Sequence, residues 1–342
     1  VGVAIRFLLI PDLENAIGGV KQVYRQAEIL EDHGYDVAVV TQNKGFRPSW
    51  FDNKVRTVSF IEMIHEPSFC DKKCILVLPE TYSNLNLRNF RGVDLESYPK
   101  VIFNQNAYYT FYGDKELNPQ SASSYYGHPS VLHTLSISED NDRFLRKFCG
   151  IPDHRISRII NSVDNSFTPS NKKPTFCWFT RKNRSELFFV LQCIQNTPIN
   201  YPGKWVGFPI EKKPHQEVAY LLNQASIYLS FGHPEGFGLP VLEALASGCF
   251  VIGYTGQGAK ELFRIGPSIA VEYGDWIGYV EAFEYALEQF SLRPNDIKNQ
   301  LYRQSLAVKA LYSRDQEVAS VITAWDQILE TYNTWRISMF DS

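Results

Sequence analysis

Short apolar runs alternate along the chain with longer amphipathic stretches. Residues 3–10 are a near-continuous apolar run, the pattern of a strand buried on both faces. A polar loop ending in Gly18-Gly19 follows. A helical pattern then runs from Val20 to Asp32 and stops at Gly34, and a second strand fits at 36–41. This strand, loop, helix and strand argue for a parallel sheet. Further strands are expected at 55–60, 74–78, 100–104, 134–138 and 156–160, with an amphipathic helix over 139–149. The polar, turn-rich segments 161–169 and 170–174 read as an interdomain linker. The alternation then restarts. Strands fit at 175–180, 204–208, 226–231, 249–254 and 268–272. Helices fit at 185–196, 214–224, 240–247, 258–265, 275–291, 294–311 and 315–336. The expected fold class is α/β, with two Rossmann-like, doubly wound parallel-sheet domains. Such sheets bind ligands outside the carboxyl ends of their strands, so two of them facing each other form a cleft for a ligand.

Composition narrows the class. A chain of 342 residues suits two domains at ~150 residues each. Its 44% hydrophobic and 21% charged content are those of a globular protein, which sets disorder aside. A net charge of −3 gives no general pull toward nucleic acid. No apolar run reaches the ~18 residues of a membrane span. Val1 to Ile10 carries Arg6 and lacks a small-residue cleavage site, so it reads as a core strand rather than a signal peptide. The six cysteines are scattered. Cys70 and Cys74, with His65 upstream, lack a fourth zinc ligand at a familiar spacing. Reduced thiols and a cytoplasmic location are expected.

The stretch from Ser230 to Gly248 is the most informative. Its Gly-His-Pro-Glu-Gly-Phe-Gly-Leu-Pro core follows a strand and opens a helix that Gly248 ends. Pro240 suits the first helical position, where a missing N–H costs nothing. The N–H groups of about Phe237 to Leu239 are therefore free at a helix start, where the macrodipole adds partial positive charge. That is a ready site for a phosphate. Glu235 and Glu243 flank it. A carboxylate would repel a bound phosphate, so these two make sense as acceptors from hydroxyls, as of a ribose and a hexose. Together these features describe a nucleotide-sugar site. A plain helix start, whose dipole favours acidic neighbours, fits the same residues.

Glu235 and Glu243, with Gly-Phe-Gly-Leu-Pro between them, resemble the two-glutamate signature of family 4 retaining glycosyltransferases of the GT-B fold. Ile17-Gly18-Gly19-Val20 through Gly34-Tyr35-Asp36-Val37 resembles that family's first glycine loop and helix. Ser136-Ile137-Ser138, and then Asn161-Ser162-Val163-Asp164 with Phe167-Thr168-Pro169, resemble its domain junction. Thr255-Gly256-Gln257-Gly258 with Glu261 resembles the segment after the signature. The likeness runs in family order from residue 1 to about 290.

The resemblance implies roles. Glu243 would bind the ribose hydroxyls and Glu235 the donor hexose. Gly236 and the amides of Phe237, Gly238 and Leu239 would hold the donor near its phosphate. Gly18 and Gly19 would approach the diphosphate from the other domain. Arg181 and Lys182 would neutralise it, although the family separates this pair by several residues and here they adjoin, with Arg184 close by. Main-chain groups around Phe208, from Gly207 to Ile210, would read the base. Where many members carry a His near the donor sugar, this chain has Asn104-Gln105-Asn106-Ala107-Tyr108, and these polar groups become candidates on the acceptor side. The implied reaction moves a hexose, with retention, from a nucleoside-diphosphate sugar to an acceptor hydroxyl that is carbohydrate, lipid-linked or other. It needs no metal and no cofactor. The implied division is 1–168 for the acceptor-side domain, 169–314 for the donor domain, and 315–342 for a helix crossing back to the first domain on Trp325, Ile328, Leu329, Tyr332 and Trp335.

Other signals point elsewhere or stay secondary. Asp140-Asn141-Asp142 mimics a metal-binding Asp-x-Asp, yet its place after Ser138 reads as a helix cap. Arg143, Arg146, Lys147, Arg155 and Arg158, with Phe144, Leu145 and Phe148 among them, form a solvated face or a resting surface for peripheral membrane contact. Tyr108, Tyr109, Phe111, Tyr112, Tyr125 and Tyr126 crowd a long loop that either lines an acceptor pocket or packs in the core. Two rival readings stay open: another GT-B enzyme, either an inverting transferase or a nucleotide-sugar epimerase, and a catalytically silent GT-B partner subunit.

Overall fold

The computed structural model describes residues 2–15, 17–83, 85–111, 125–198 and 204–340, with side chains to residue 338. The chain divides into two compact units. One comprises Val1–Asn161 with Glu317–Ser342, and the other Ser162–Gln316.

Among its described residues the first unit holds a seven-stranded sheet. Its strands are β1 (Ala4–Leu8), β2 (Asp36–Thr41), β3 (Thr57–Ser59), β4 (Cys74–Pro79), β5 (Lys100–Phe103), β6 (Val131–Ser136) and β7 (Ile156–Arg158). They lie in the order β3-β2-β1-β4-β5-β6-β7, and all pairs are parallel. The order reverses between β1 and β4, which is where such a sheet opens its ligand crevice. Helices α1 (Gly18–Asp32), α2 (Phe60–Ile64), α3 (Pro67–Cys70) and α4 (Glu139–Cys149) connect these strands. Every residue of β1 is buried, Arg6 included. Arg6 sits in an apolar run because its guanidinium reaches Glu66 at 2.7 Å and Asp36 at 3.2 Å.

The pattern predicts a strand over 55–60, but the strand stops at Ser59 and Phe60 opens α2. Ser59 and Glu62 form a reciprocal capping box there, the S-x-x-E signature of a helix start. Ser59→Ala is expected to cost about 1 kcal/mol, read as a lower urea midpoint at unchanged slope.

The second unit carries β8 (Lys173–Phe179), β9 (Val206–Ile210), β10 (Ala225–Ser230), β11 (Phe250–Tyr254) and β12 (Ile269–Val271) in the order β12-β11-β10-β8-β9. All pairs are again parallel, and the switch point falls between β8 and β10. Its helices are α5 (Arg184–Asn196), α6 (His215–Gln224), α7 (Leu239–Ala246), α8 (Trp276–Leu292) and α9 (Pro294–Leu311). Residues after the unit boundary are tied down within this unit. The Val163 N–H donates to the Tyr312 carbonyl at 2.9 Å, and the Thr168 N–H to the Asn223 side chain at 2.8 Å.

Helix α10 (Arg314–Phe340) closes the described chain. From Glu317 onward it belongs with the first unit. Val321, Trp325, Ile328 and Tyr332 recur at helical spacing and are all buried, and the Trp325 ring lies 6.3 Å from that of Phe7 in β1. Glu317 pairs with Arg25 of α1 at 2.5 Å, and the Ser320 hydroxyl accepts the Ile160 N–H at 3.0 Å.

Over 258–265 the pattern predicts a helix, and the structure has only a 3-10 turn at Leu262–Arg264. Gly256 and Gln257 take left-handed backbone there, and the Gly258 N–H is spent outside the segment, on the carbonyl of Glu235 at 3.1 Å. The apolar spacing of Ala259, Leu262 and Phe263 mimics a helix face, but all three are buried around a turn.

Candidate active site

The loops after β8 and β10 meet at the switch point of the second sheet. Lys182 follows β8, and its ammonium donates to the Pro234 carbonyl at 2.8 Å and pairs with the Glu235 carboxylate at 3.0 Å. Asn183 adopts left-handed backbone at the cap of α5, and its side-chain amide donates to the carbonyls of Phe231 at 2.7 Å and His233 at 3.1 Å. Two neighbouring residues thus lace the ends of two strands together and hold Glu235 in place.

The same loop is gripped from its other side. The Glu235 N–H donates to the Gly256 carbonyl at 2.8 Å, and the Gly258 N–H returns to the Glu235 carbonyl. A Cβ on Gly258 would lie 2.3 Å from the Gly236 carbonyl carbon, so only glycine permits this approach. The chain enters α7 through Gly238 at φ +92°, a conformation that again favours glycine. Helix α7 begins at Leu239, so Pro240 occupies the second helical position rather than the expected first. Among the described residues the N–H groups of Phe237, Gly238 and Leu239 donate to no backbone carbonyl. The open helix start therefore lies beside the Lys182–Glu235 pair. Glu243 is half-buried in the first turns of α7. Burial above all, followed by nearby thiols and the carboxylates of Glu235 and Glu243, holds the Tyr228 phenol in β10 far above its ordinary ionisation. Both carboxylates thus act on the same central strand.

His233 completes this group. Its ring stacks on Tyr273 with centroids 4.3 Å apart and planes 20° apart. Burial first, then the charge of Lys182, lower its pKa below the usual histidine value, with Glu235 opposing. The imidazole is therefore neutral near pH 7.

In the first unit, Gly18 and Gly19 open α1. The Gln105 side-chain amide donates to the Gly19 carbonyl at 3.0 Å, and the Gln105 N–H donates to Glu80 at 3.1 Å. Glu80 sits just past β4, at the switch point, and is 4% exposed. Burial pushes its carboxyl up to about 7, against backbone hydrogen bonds that favour the charged form.

Residues 204–303 match the family described as Glycosyl transferases group 1. The alpha-1,6-glucosyltransferase of Actinobacillus pleuropneumoniae serotype 7 is 28% identical over 184 residues, which are 53% of this chain and 52% of that protein. The chain thus spans about half the length of this curated relative. Sucrose-phosphate synthase from Thermosynechococcus elongatus aligns at a TM-score of 0.66 and 14% identity, over 96% of this chain and 99% of that one. Anabaena HepE in complex with UDP and glucose aligns at 0.61 and 10% identity, over 97% of this chain and 100% of that one. The chain has the GT-B fold.

Within this GT-B fold the structure brings together Lys182, Glu235, Gly236, Phe237, Gly238 and Leu239, with Glu243 on the same helix. Phe237 contributes through its backbone, because its ring is buried against Tyr312. Arg181 is exposed and, among the described residues, makes no ion pair. Phe208 lies in the edge strand β9, and no ring contact or hydrogen bond among the described residues joins it to the Glu235 group.

The four polar candidates of the first unit separate. Gln105 reaches the glycine loop. Asn104, expected on the acceptor side, is instead fully buried: its amide donates to the Tyr126 hydroxyl at 2.7 Å, and its carbonyl accepts from Asn141 at 3.0 Å. Asn106 is buried too and accepts the Tyr108 N–H at 3.2 Å, closing a local turn. The Tyr108 hydroxyl donates to Asp140 at 2.7 Å. Ser138 caps α4 through the Asn141 N–H, and Ser136 donates to Asp142, so each member of Asp140-Asn141-Asp142 serves a bond within the protein. Tyr125 and Tyr126 are buried, Phe111 is 45% exposed, and Tyr112 lies outside the described residues. In the basic stretch, Arg146 pairs with Asp153 and Arg155 donates to the Val131 carbonyl, while Arg143, Lys147 and Phe148 stay exposed. Among the described residues no helix is long and apolar enough to cross a membrane.

Glu80, Asn183 and His233 were not singled out from sequence. Glu80 carried a usable signal, a carboxylate directly after an apolar strand beside the switch point. Asn183 and His233 act through backbone carbonyls and a ring stack, which residue type does not announce.

Proposed function

We propose that this chain is a glycosyltransferase that moves a hexose from a nucleoside-diphosphate sugar to an acceptor hydroxyl, with retention at the anomeric carbon and without metal or cofactor. The observation that carries this reading is the Lys182–Glu235 pair at 3.0 Å beside the open start of α7. The amides of Phe237 to Leu239 and the helix dipole receive the diphosphate. Lys182, paired with Glu235 at 3.0 Å, offsets the carboxylate's repulsion of the phosphate. Arg181, exposed nearby, adds a second charge. Glu235 accepts from a hexose hydroxyl and Glu243 from the ribose. The barrier falls mainly by stabilising charge on the leaving diphosphate. A diphosphate oxygen then takes the proton of the attacking acceptor on the same face.

For the acceptor we propose a carbohydrate or lipid-linked hydroxyl. Exposed Arg143, Lys147 and Phe148 on α4 suit peripheral contact with an anionic membrane from the cytoplasmic side. The test is a metal-free thermal-shift panel of UDP, GDP, TDP, ADP and CDP, with UDP the first choice because it is bound in HepE. A ligand that binds only folded protein raises the melting point with ln(1 + [L]/Kd). One diphosphate is expected to raise it, and Glu243→Ala to abolish the rise. Well-folded protein that responds to none would point to a silent partner subunit.

A further inference from the structure

The second unit contains a cavity that shares no residue with the donor group. Its volume is about 400 Å³, within the usual range of small-molecule sites. It lies at the amino ends of β8 and β10, where Lys173 and Ser226 line it, whereas Lys182 and Glu235 follow the carboxyl ends of the same two strands. The seven residues of β8 separate the two places by roughly 20 Å.

The lining divides into an apolar body and a basic rim. Trp205, Leu287, Phe290 and Tyr302 supply apolar surface, with the Trp205 and Phe290 rings 5.4 Å apart. Tyr302 is 56% exposed despite its size. Three lysines line the cavity and, among the described residues, no carboxylate does. Lys172 is already committed. Its ammonium donates to the carbonyls of Ala225 at 2.7 Å and Leu222 at 3.1 Å. Lys173 and Lys298 are exposed, and among the described residues neither forms an ion pair. Two ammonium groups left over beside a ring-lined hollow complement an anion attached to an apolar body.

We propose that this cavity is a second ligand site, taking a small organic anion with an apolar ring or chain and one phosphate, sulfonate or carboxylate head. The site does not depend on the transferase reading, because none of its residues belongs to the donor group.

Fluorescence titration of the full chain with 1-anilinonaphthalene-8-sulfonate tests it. The expected result is saturable binding at one site that saturating UDP does not displace. Inorganic sulfate at the same concentration should not compete, because it lacks the apolar body. The double variant Lys173→Glu/Lys298→Glu should weaken binding about tenfold, since two attractions become repulsions. Tyr302→Ala, at an exposed wall, should weaken it separately, which covers the case of a double variant that does not fold. Unchanged affinity in the well-folded double variant, or displacement by UDP, would overturn the proposal. No thermal shift with any of the five diphosphates, with this binding intact, would count against the transferase reading alone.

Discussion

Glu235→Gln is expected to lower kcat about a hundredfold while leaving the affinity for the bare nucleoside diphosphate at least as high. A hydrogen bond to a charged group contributes about 1.5–3 kcal/mol, which is roughly ten- to more than a hundredfold in rate when the bond is made in the transition state. The amide keeps the shape and loses the charge. It also releases Lys182, which pairs with Glu235 at 3.0 Å and keeps its bond to the Pro234 carbonyl at 2.8 Å. A freed ammonium beside the start of α7 favours the diphosphate. Steady-state kinetics and calorimetric titration with UDP separate the two effects. Unchanged kcat would take Glu235 out of contact with the donor sugar. Weaker diphosphate binding would instead assign the carboxylate to holding Lys182 in place.

The second large effect concerns stability and lies in the first unit. Glu80 gives up its proton at about 7 in the folded protein, against 4.5 for the ordinary side chain. Between those values the unfolded chain binds fewer protons than the folded one, so stability falls as pH rises through the window and levels off above it. The fall amounts to roughly 3 kcal/mol. Glu80→Gln keeps an acceptor for the Gln105 N–H and has no proton to lose. Urea melts at pH 5 and pH 8 should therefore show a flatter dependence in the variant, with higher stability than wild type at pH 8. An equal slope in both proteins would mean that Glu80 is ionised when folded, its charge held by the backbone N–H groups around it.

Local chemistry was legible in the sequence, and partners brought from afar were not. The strand and helix flanking Glu235 follow from an apolar run, four glycines and two prolines, all within residues 225–248. The turn over 258–265 is different. Nothing in Gly256-Gln257-Gly258 says that its backbone will clasp Glu235, and the apolar residues behind it keep a helical rhythm. Asn104 shows the same limit. A polar side chain after a strand reads as facing a ligand until Tyr126 and Asn141, both remote in sequence, consume its amide. Lys182 and Glu235 were each named for a phosphate or a sugar, yet their mutual pairing emerges only where β8 and β10 lie side by side. For Glu80 the sequence shows only its place after an apolar strand; its raised ionisation comes from burial, which is a property of the packed sheet.

The assignment of α10 bears on the order in which the chain acquires structure as it is made. Domains emerging from the ribosome generally fold as units, with the amino-terminal one leading. Here the first unit lacks Val321, Trp325, Ile328 and Tyr332 until the last described helix is synthesised, and all four are buried in its core. The second unit is one continuous stretch, Ser162–Gln316. The half translated later is therefore the first able to finish, and the nascent amino-terminal half must wait with an open hydrophobic seam. A chain stalled near residue 316 would present that seam to chaperones.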